Sequence, residues 1–479
     1  MKHRLFLILG ITLISTFARA QDSHYWYSEF SAGGFFMPGA VISNNGDSGV
    51  YFYNPALFGS AKKSFVSINA NVYQYGSINI KNGAGTGRDL KSTLVNSVPA
   101  MLAGSVVFKK FKKPLTFAYA LTRTPGLAYS ASQRRDEKFQ VLQDNYSPGT
   151  EYFVGQAVAQ NGFVESTGQI SFGIKLNEHW SAGITAIGDI KKQNFNLSYT
   201  ARALGNPGGD TMLPIVASEI YYLVTYNHIG LKFRGGVTYD DGPNHLGLII
   251  TSPLIHIQGS ATLVSDQLIV NMQLIDKVFF NVLASTRQTK LPTKVKTPLS
   301  IGLGYTRDLS KGKVYVAAEY FYQVGMYDII SPRKEGFLRP DTGGNNALTA
   351  DLLRLSDARR PVLNFAAGYS FMLKPNLTGY ISARTDFSYA KMDELENSSG
   401  FSPYICYWNN IHWQVGANLK RAKYNLRGGL LFCYGAMDNY PQLVNLDNPS
   451  EINALLGETG TVSASNFSVG FMISYIHNF

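Results

Sequence analysis

The sequence predicts an all-β protein, a 14-stranded antiparallel transmembrane β-barrel. Three observations carry that expectation: a closing segment that alternates and stops on an aromatic residue, an apolar leader, and six tight turns spaced along the chain. In the closing segment, 466–479, Phe467, Val469, Phe471, Ile473 and Tyr475 fall on one face, with Ser468, Gly470, Ser474 and Asn478 on the other. That is the period of two that defines a strand. One face suits hydrocarbon and the other suits water. His477 departs from the pattern, standing where an apolar residue is expected.

The leader begins with Lys2 and Arg4, continues through an apolar run at 5–17, and ends in Ala18-Arg19-Ala20. A basic start, a short apolar core and a small-residue cleavage site define a secretory signal peptide. The apolar run is well short of the ~20 residues a spanning helix needs. Cleavage after Ala20 leaves Gln21 first, so a lipid-anchored N-terminus is not expected. The expected organisation is a leader at 1–20, an N-terminal segment at 21–62 and the barrel at 63–479.

Beyond the leader no uninterrupted apolar run of about 18 residues remains, which argues against helical spans. The chain is instead rich in Gly (46), Tyr (29) and Phe (29), with only 16% charged residues. A wall with one face in lipid and the other in a wet lumen requires that mixture. The formal charge of +11 falls to +8 when Lys2, Arg4 and Arg19 leave with the leader. Over so long a chain this is a weak field, and no nucleic-acid-binding motif accompanies it.

Six turn candidates punctuate the alternating segments, at 109–114, 177–179, 240–244, 310–312, 374–376 and 420–423. Each is rich in Gly, Pro, Asn or charge. Outer-membrane barrels place tight turns at the periplasmic end and longer loops outside. Six hairpins give twelve strands, and one more at each end, beginning at 64–80, makes fourteen. In the tenth strand Leu363, Phe365, Tyr369, Phe371 and Leu373 oppose Asn364, Ala366, Gly368 and Ser370. In the eleventh Ile381, Ala383, Phe387 and Tyr389 oppose Tyr380, Ser382, Arg384, Asp386 and Ser388. The polar sets are expected to line the lumen, joined by Lys175, His228, Lys232, Arg234, Glu319, Gln323, His412, Gln414 and Arg427. Strand seven carries Pro253, which a regular ladder does not accommodate.

An exported chain with two cysteines, Cys406 and Cys433, invites a disulfide. If Leu419 faces Tyr424, however, Cys433 faces Asn410 and lies roughly 13 Å from Cys406 along the strand. Bridging needs Cα atoms within about 7 Å, so this register favours free thiols.

Between the leader and the first strand lie breakers of regular strand: Gly33-Gly34, Pro38-Gly39, Asn44-Asn45-Gly46-Asp47 and Asn54-Pro55. Interspersed are Phe35, Phe36, Met37, Phe52, Leu57 and Phe58. Such a segment needs somewhere apolar to pack, and the lumen is nearest. The runs Gly39-Ala40-Val41, Asn45-Gly46-Asp47-Ser48 and 51–59, with Asn54-Pro55-Ala56 just before the first strand, resemble the N-terminal hatch of the FadL/TodX family of outer-membrane transporters for hydrophobic compounds. The terminal Phe479 likewise resembles the closing aromatic by which barrel-assembly machinery recognises its substrates. The resemblance implies a hatch plugging the lumen, with Asp47, Asn54, Pro55 and Ala56 at the gate. In that family the third strand carries an inward kink that opens the wall, and Thr124-Pro125-Gly126 interrupts strand three at the matching place. An early strand end before the next loop explains those residues equally well.

Hydrophobic cargo would first meet an apolar outer surface. The loop after strand five holds Met212, Leu213, Pro214, Ile215 and Val216, and the one after strand seven holds Leu268, Ile269, Val270, Leu274, Ile275, Val278, Phe279, Phe280 and Leu283. Family resemblance makes Met212, Leu213, Ile215, Leu274, Val278, Phe279 and Phe280 candidates for ligand capture; packing on one another as a lid accounts for them as well. The run 348–355 reads as a short loop helix. An acidic head group in the lumen would need a basic neighbour, for which Lys232, Arg234, Arg384 and Arg427 are candidates, although pairing with acids such as Glu319 and Asp386 is the plainer role.

The expected partners are a fatty acid or aromatic hydrocarbon, outer-membrane lipid and lipopolysaccharide, and the assembly machinery, with no nucleic acid and a monomeric state. The expected address is the outer membrane of a Gram-negative bacterium. No cofactor or metal is expected. The eight histidines are scattered, and no Gly-x-Ser-x-Gly elbow or zinc spacing is present, so an enzyme is not expected. A general diffusion porin and a secretion adaptor remain the alternatives to a transporter; uptake, conductance and pull-down measurements separate them.

Overall fold

The computed structural model describes residues 23–26, 42–43, 52–110, 113–206, 214–275, 278–340, 347–396 and 400–479. The leader, Asp47, Met212 and Leu213 lie outside them. Fourteen antiparallel wall strands close into a barrel. They are β1 (Phe65–Ile80), β2 (Leu90–Phe108), β3 (Leu115–Phe139), β4 (Glu151–Lys175), β5 (Trp180–Leu204) and β6 (Ile215–Asp241). Two strands follow in two pieces each: β7 (Asn244–Thr251 and Ile255–Ile275) and β8 (Val278–Pro292 and Ser300–Leu309). The wall continues with β9 (Gly312–Phe321), β10 (Val362–Lys374), β11 (Leu377–Asp386), β12 (Asn410–Lys420), β13 (Tyr424–Pro441) and β14 (Thr461–Asn478). The seam runs from Phe65↔Asn478 to Ile80↔Ala464, so β14 closes the sheet against β1.

All six expected turns separate consecutive strands at one end of the barrel, and the long connections gather at the other. Alternation sorts the side chains as expected. In β14 Phe467, Phe471, Ile473 and Tyr475 are exposed on the outside while Asn466 and Ser474 are buried within. In β10 Leu363, Phe365, Tyr369 and Leu373 face out, with Asn364 and Ser370 buried. Strand β11 ends at Asp386, two turns of pleat earlier than the alternation suggested. Phe387 and Tyr389 therefore leave the wall, and Tyr389 is buried in the long-loop core. Lys175 is exposed at the short-turn end, and Gln323 is exposed just past β9.

The wall is uneven in height. Strands β3, β4 and β5 each run 25 residues and β6 runs 27, against 10 for β9 and β11 and 11 for β12. About 9–11 residues span a bilayer, so the tall side projects well beyond it. The described parts of the long connections, 322–340, 347–361, 387–396, 400–409 and 442–460, fold into the mouth, where Phe401, Tyr404, Trp408, Leu446 and Leu455 share one core with Tyr222 of β6 and Tyr199 of β5. Within 322–361, strands Val324–Ile330 and Leu355–Arg359 pair with each other, and Thr349–Leu352 forms the expected short helix.

Pro253 sits between the two pieces of β7. Ser252 compensates locally, its N–H donating to Phe233 O at 2.8 Å and its Oγ accepting from Phe233 N at 2.9 Å. The two cysteines are buried and are not bridged to each other. The register differs from expectation by two residues: Leu419 pairs with Leu426, and Cys433 with His412. The ladder runs on through Lys420↔Asn425, and Arg421 N donates to Tyr424 O at 2.8 Å, so the connection is tighter than the expected 420–423 turn and every partner moves along.

Candidate functional site

Asn54 caps the short 3-10 helix Pro55–Ser60: its Oδ1 accepts from Ala56 N at 3.0 Å and its Nδ2 donates to Ile42 O at 2.6 Å. Proline at the first helical position has no N–H to lose there. This segment lies against the inner wall on a cross-strand row of glycines. Gly173 of β4 pairs with Gly183 of β5, which pairs with Gly236 of β6. A Cβ at Gly183 would stand 2.3 Å from Pro55 O, one at Gly236 1.9 Å from Asn54 Oδ1, and one at Gly173 2.5 Å from Phe58 Cβ. Only strands without side chains allow so close an approach. Arg234 fastens the same place, donating from Nη1 to the carbonyls of Phe52 (3.4 Å) and Tyr53 (3.3 Å) and from Nε to Thr251 Oγ1.

The opposite side of the segment is apolar. Phe52, Leu57 and Phe58 pack with Phe65, Met101, Ala103, Ala118, Ala120 and Ile476 from β1, β2, β3 and β14. Ile42 packs with Ile249 and Ala317, and Ser43 Oγ bonds Thr306 Oγ1 at 2.6 Å. The described residues thus reach from the seam to β9 across the short-turn half of the lumen.

Ser23 to Trp26 lie instead toward the mouth. Ser23 Oγ donates to Cys406 O at 2.8 Å, and Tyr25 stacks on Phe321 with ring centroids 4.1 Å apart. Trp26 N donates to Asp386 and its Nε1 to Glu319, both at 2.9 Å. The two acids expected to pair with arginines are thereby held by the N-terminal segment. At the mouth, Glu451 ties its own connection to the β3–β4 loop and to β7 by accepting from Gln143 N, Tyr146 OH and Gln273 N. Burial raises its carboxyl above the usual range.

Strand three is interrupted on one edge only. On β4 it pairs from Leu115↔Ile174 to Phe139↔Glu151, with a bulge that sets Gly126 and Leu127 against Phe163. On β2 the ladder stops at Met101↔Thr122, although both strands continue. They meet again through side chains only, where Ser130 N donates to Ser92 Oγ and Tyr129 OH to Leu90 O. A bulge bends and twists its strand, which is how β3 parts from β2 here. Thr124, Pro125 and Gly126 thus border a break in the wall's hydrogen bonding, and strand three is not cut short.

Behind that break lies a cluster of charges that composition and alternation did not single out. Thr124 of β3 is in register with Glu165 of β4, Glu165 with Lys191 of β5, and Lys191 with His228 of β6. Lys232 Nζ stands 3.2 Å from Asp189 and 3.6 Å from Glu165, while Lys191 Nζ stands 3.6 Å and 3.5 Å from the same two carboxylates. Two lysines and two acids compensate one another. Arg384 and Arg427 are each almost fully buried; Arg427 lies over the Tyr380 ring at 5.5 Å, and Arg384 is in register with His412. The four expected cations do not converge: Lys232 joins the β4–β6 cluster, Arg234 the N-terminal segment, and the others the far wall. Inward acids and lysines one strand apart were the available signal for the missed members Glu165, Asp189 and Lys191.

The capture candidates are placed differently from expectation. Ile215 begins β6, and Leu274, Val278, Phe279 and Phe280 belong to β7 and β8, so the loop after strand seven is a β-ribbon. Pairing from Ser260↔Pro292 up to Ile275↔Val278 carries both strands past the membrane. Ile215, Val278 and Phe279 are exposed, and Phe279 meets the Tyr146 ring edge-on at 5.1 Å. A cavity of about 460 Å³ opens between the 387–409 connection and the end of β13, among Lys391, Met392, Tyr407, Trp408, Met437 and Pro441.

An asymmetric β-barrel whose lumen holds Phe52 to Ser60 and whose wall parts at the β2–β3 edge defines the class of protein. Its fold is that of the FadL-type hydrocarbon channels. The chain is similar to a FadL homologue of Pseudomonas aeruginosa (12% identity, 96% of this chain and all of that one, TM-score 0.57). It is also similar to the toluene transporters TodX of Pseudomonas putida (14%, 96% and 100%, 0.54) and TbuX of Ralstonia pickettii (11%, 94% and 98%, 0.55). No family model matches the sequence, and no curated protein does.

Proposed function

We propose that this chain is a FadL/TodX-family channel that lets hydrophobic compounds, long-chain fatty acids or aromatic hydrocarbons, cross a Gram-negative outer membrane without an energy source. The observation that carries the reading is the β2–β3 edge, where the ladder ends at Met101↔Thr122 above a lumen occupied by the N-terminal segment. The likeness in fold to toluene transporters supports it. Cargo is captured at the apolar ribbon and loop around Met212, Leu213, Ile215, Leu274, Val278, Phe279 and Phe280, passes the mouth, and leaves sideways beside Thr124, Pro125 and Gly126. Exit into hydrocarbon spares it the aqueous periplasm.

The N-terminal segment is the hatch. Asn54, Pro55 and Ala56, seated on the glycine row, form its gate together with Asp47, which lies outside the described residues. A ligand that binds better to a shifted arrangement opens the path by population shift. Occupation of the base by Phe52, Leu57 and Phe58 favours this reading over a wide porin. Uptake of labelled oleate and toluene is expected to depend on the gene and to fall when Asn54-Pro55-Ala56 is replaced. If neither compound's uptake depends on the protein, the assignment fails.

A further inference from the structure

The wall parts at a second place, on the opposite flank of the same polar row. Strands β7 and β8 pair at Thr251↔Ser300 and again from Ser260↔Pro292 upward. Between those points β8 turns inward. Thr293 bridges Ile330, Lys294 N donates to Ile329 O at 3.0 Å, and Lys296 N donates to Tyr327 OH at 2.9 Å. Those donors serve the small inner sheet; contact back to β7 is made by Leu254 N to Thr297 O, at 3.4 Å, and at the upper end by Thr293, which lies close against Gly259.

Strand β7 meanwhile stays on β6. Ile255 pairs with Leu231, His256 with Gly230, Gln258 with Ile229 and Gly259 with His228, with Ile257 as the extra residue of a bulge. Four consecutive residues, Ile255 to Gln258, are exposed, which in a closed wall does not happen on both faces at once. His256 turns inward, its Nδ1 3.0 Å from His228 Nε2. Lys296 turns inward too, its Nζ 4.7 Å from the centre of the Tyr327 ring. It follows Val295 and precedes Thr297, whose carbonyl accepts from Leu254 N. The gap therefore has an aliphatic outer lip and a cationic or hydrogen-bonding inner one.

We propose that this gap is a second lateral port, which takes the hydrocarbon tail of a long-chain carboxylate while His256 and Lys296 hold the head group inside. A carboxylate recruits a lysine and an imidazole by charge-assisted hydrogen bonds, and its tail gains by leaving water along Ile255 and Ile257. The port deepens the transport reading by naming an acidic amphiphile, but it stands whether or not cargo leaves beside β3.

The test uses the purified full barrel in lipid nanodiscs and palmitate carrying a diazirine on its tail, with adducts mapped by mass spectrometry after irradiation. Adducts are expected on 255–258 and 293–299. Changing Lys296→Met with His256→Ala, or using the probe's methyl ester, is expected to lower them at least about fivefold, the loss of a charged contact, while heat-modifiable migration on gels confirms a folded barrel. Adducts at the β2–β3 edge alone overturn the port and leave the transport reading standing. Adducts at neither gap overturn both. Equal labelling of 255–258 by a phospholipid with the same diazirine also overturns the port, since bilayer lipid would then fill the gap.

Discussion

Gly183 has a role that its size alone explains. Its missing Cβ leaves room for Pro55 O, and Val at that position must push either the hatch or β5. Gly183→Val is expected to destabilise the folded barrel by about 1–3 kcal/mol, the usual range for overpacking. Denaturant titration in detergent reads this directly, and Gly428→Val, on a strand where a new Cβ meets nothing, sets the comparison without overpacking. Lys232 is the second informative residue. Lys232→Met removes one of two cations facing Asp189 and Glu165, leaving an uncompensated carboxylate in the lumen wall. A loss of about 3 kcal/mol in the same titration is expected, and Glu165→Gln in the Lys232→Met background should recover part of it.

Among the elements, β3 is where local sequence and global sheet disagree. Its bulge is one residue, so deleting Gly126 restores one-to-one pairing with β4 without turning any side chain to the other face. The deletion is expected to extend the β2–β3 ladder past Thr122 and to reduce hydrophobic uptake at least about tenfold, a change of ~1.4 kcal/mol in the passage barrier. Unchanged uptake would place the exit elsewhere. Strand alternation and turn chemistry made the wall readable: Phe365 out and Asn364 in follow from the pleat alone. Where strands end was less readable, because Phe387 and Tyr389 continue the alternation of β11 while the chain has already turned toward the mouth core. Nor does a cross-strand row such as Gly173, Gly183 and Gly236 exist in the sequence. It is created by registers between β4, β5 and β6, which tertiary pairing sets. Glu165 and Lys191 escaped notice for the same reason, being 26 residues apart in the chain and neighbours only in the sheet.

For the molecule as a whole, the occupied base has an electrical consequence. Planar-bilayer recordings of the full chain are expected to show little steady current, and removal of 23–62 is expected to produce large open steps if the deleted barrel still folds, as heat-modifiable migration checks. Large steady current from the intact chain would favour a diffusion porin.

Closure of the seam has a further consequence. Ile476, near the end of the last strand, shares one buried cluster with Phe52, Leu57 and Phe58, which precede the first strand. The two ends of the sheet are thus joined twice, once by the β1–β14 ladder and once through side chains that belong to neither strand. Weakening the N-terminal segment therefore also loosens the place where the wall closes on itself.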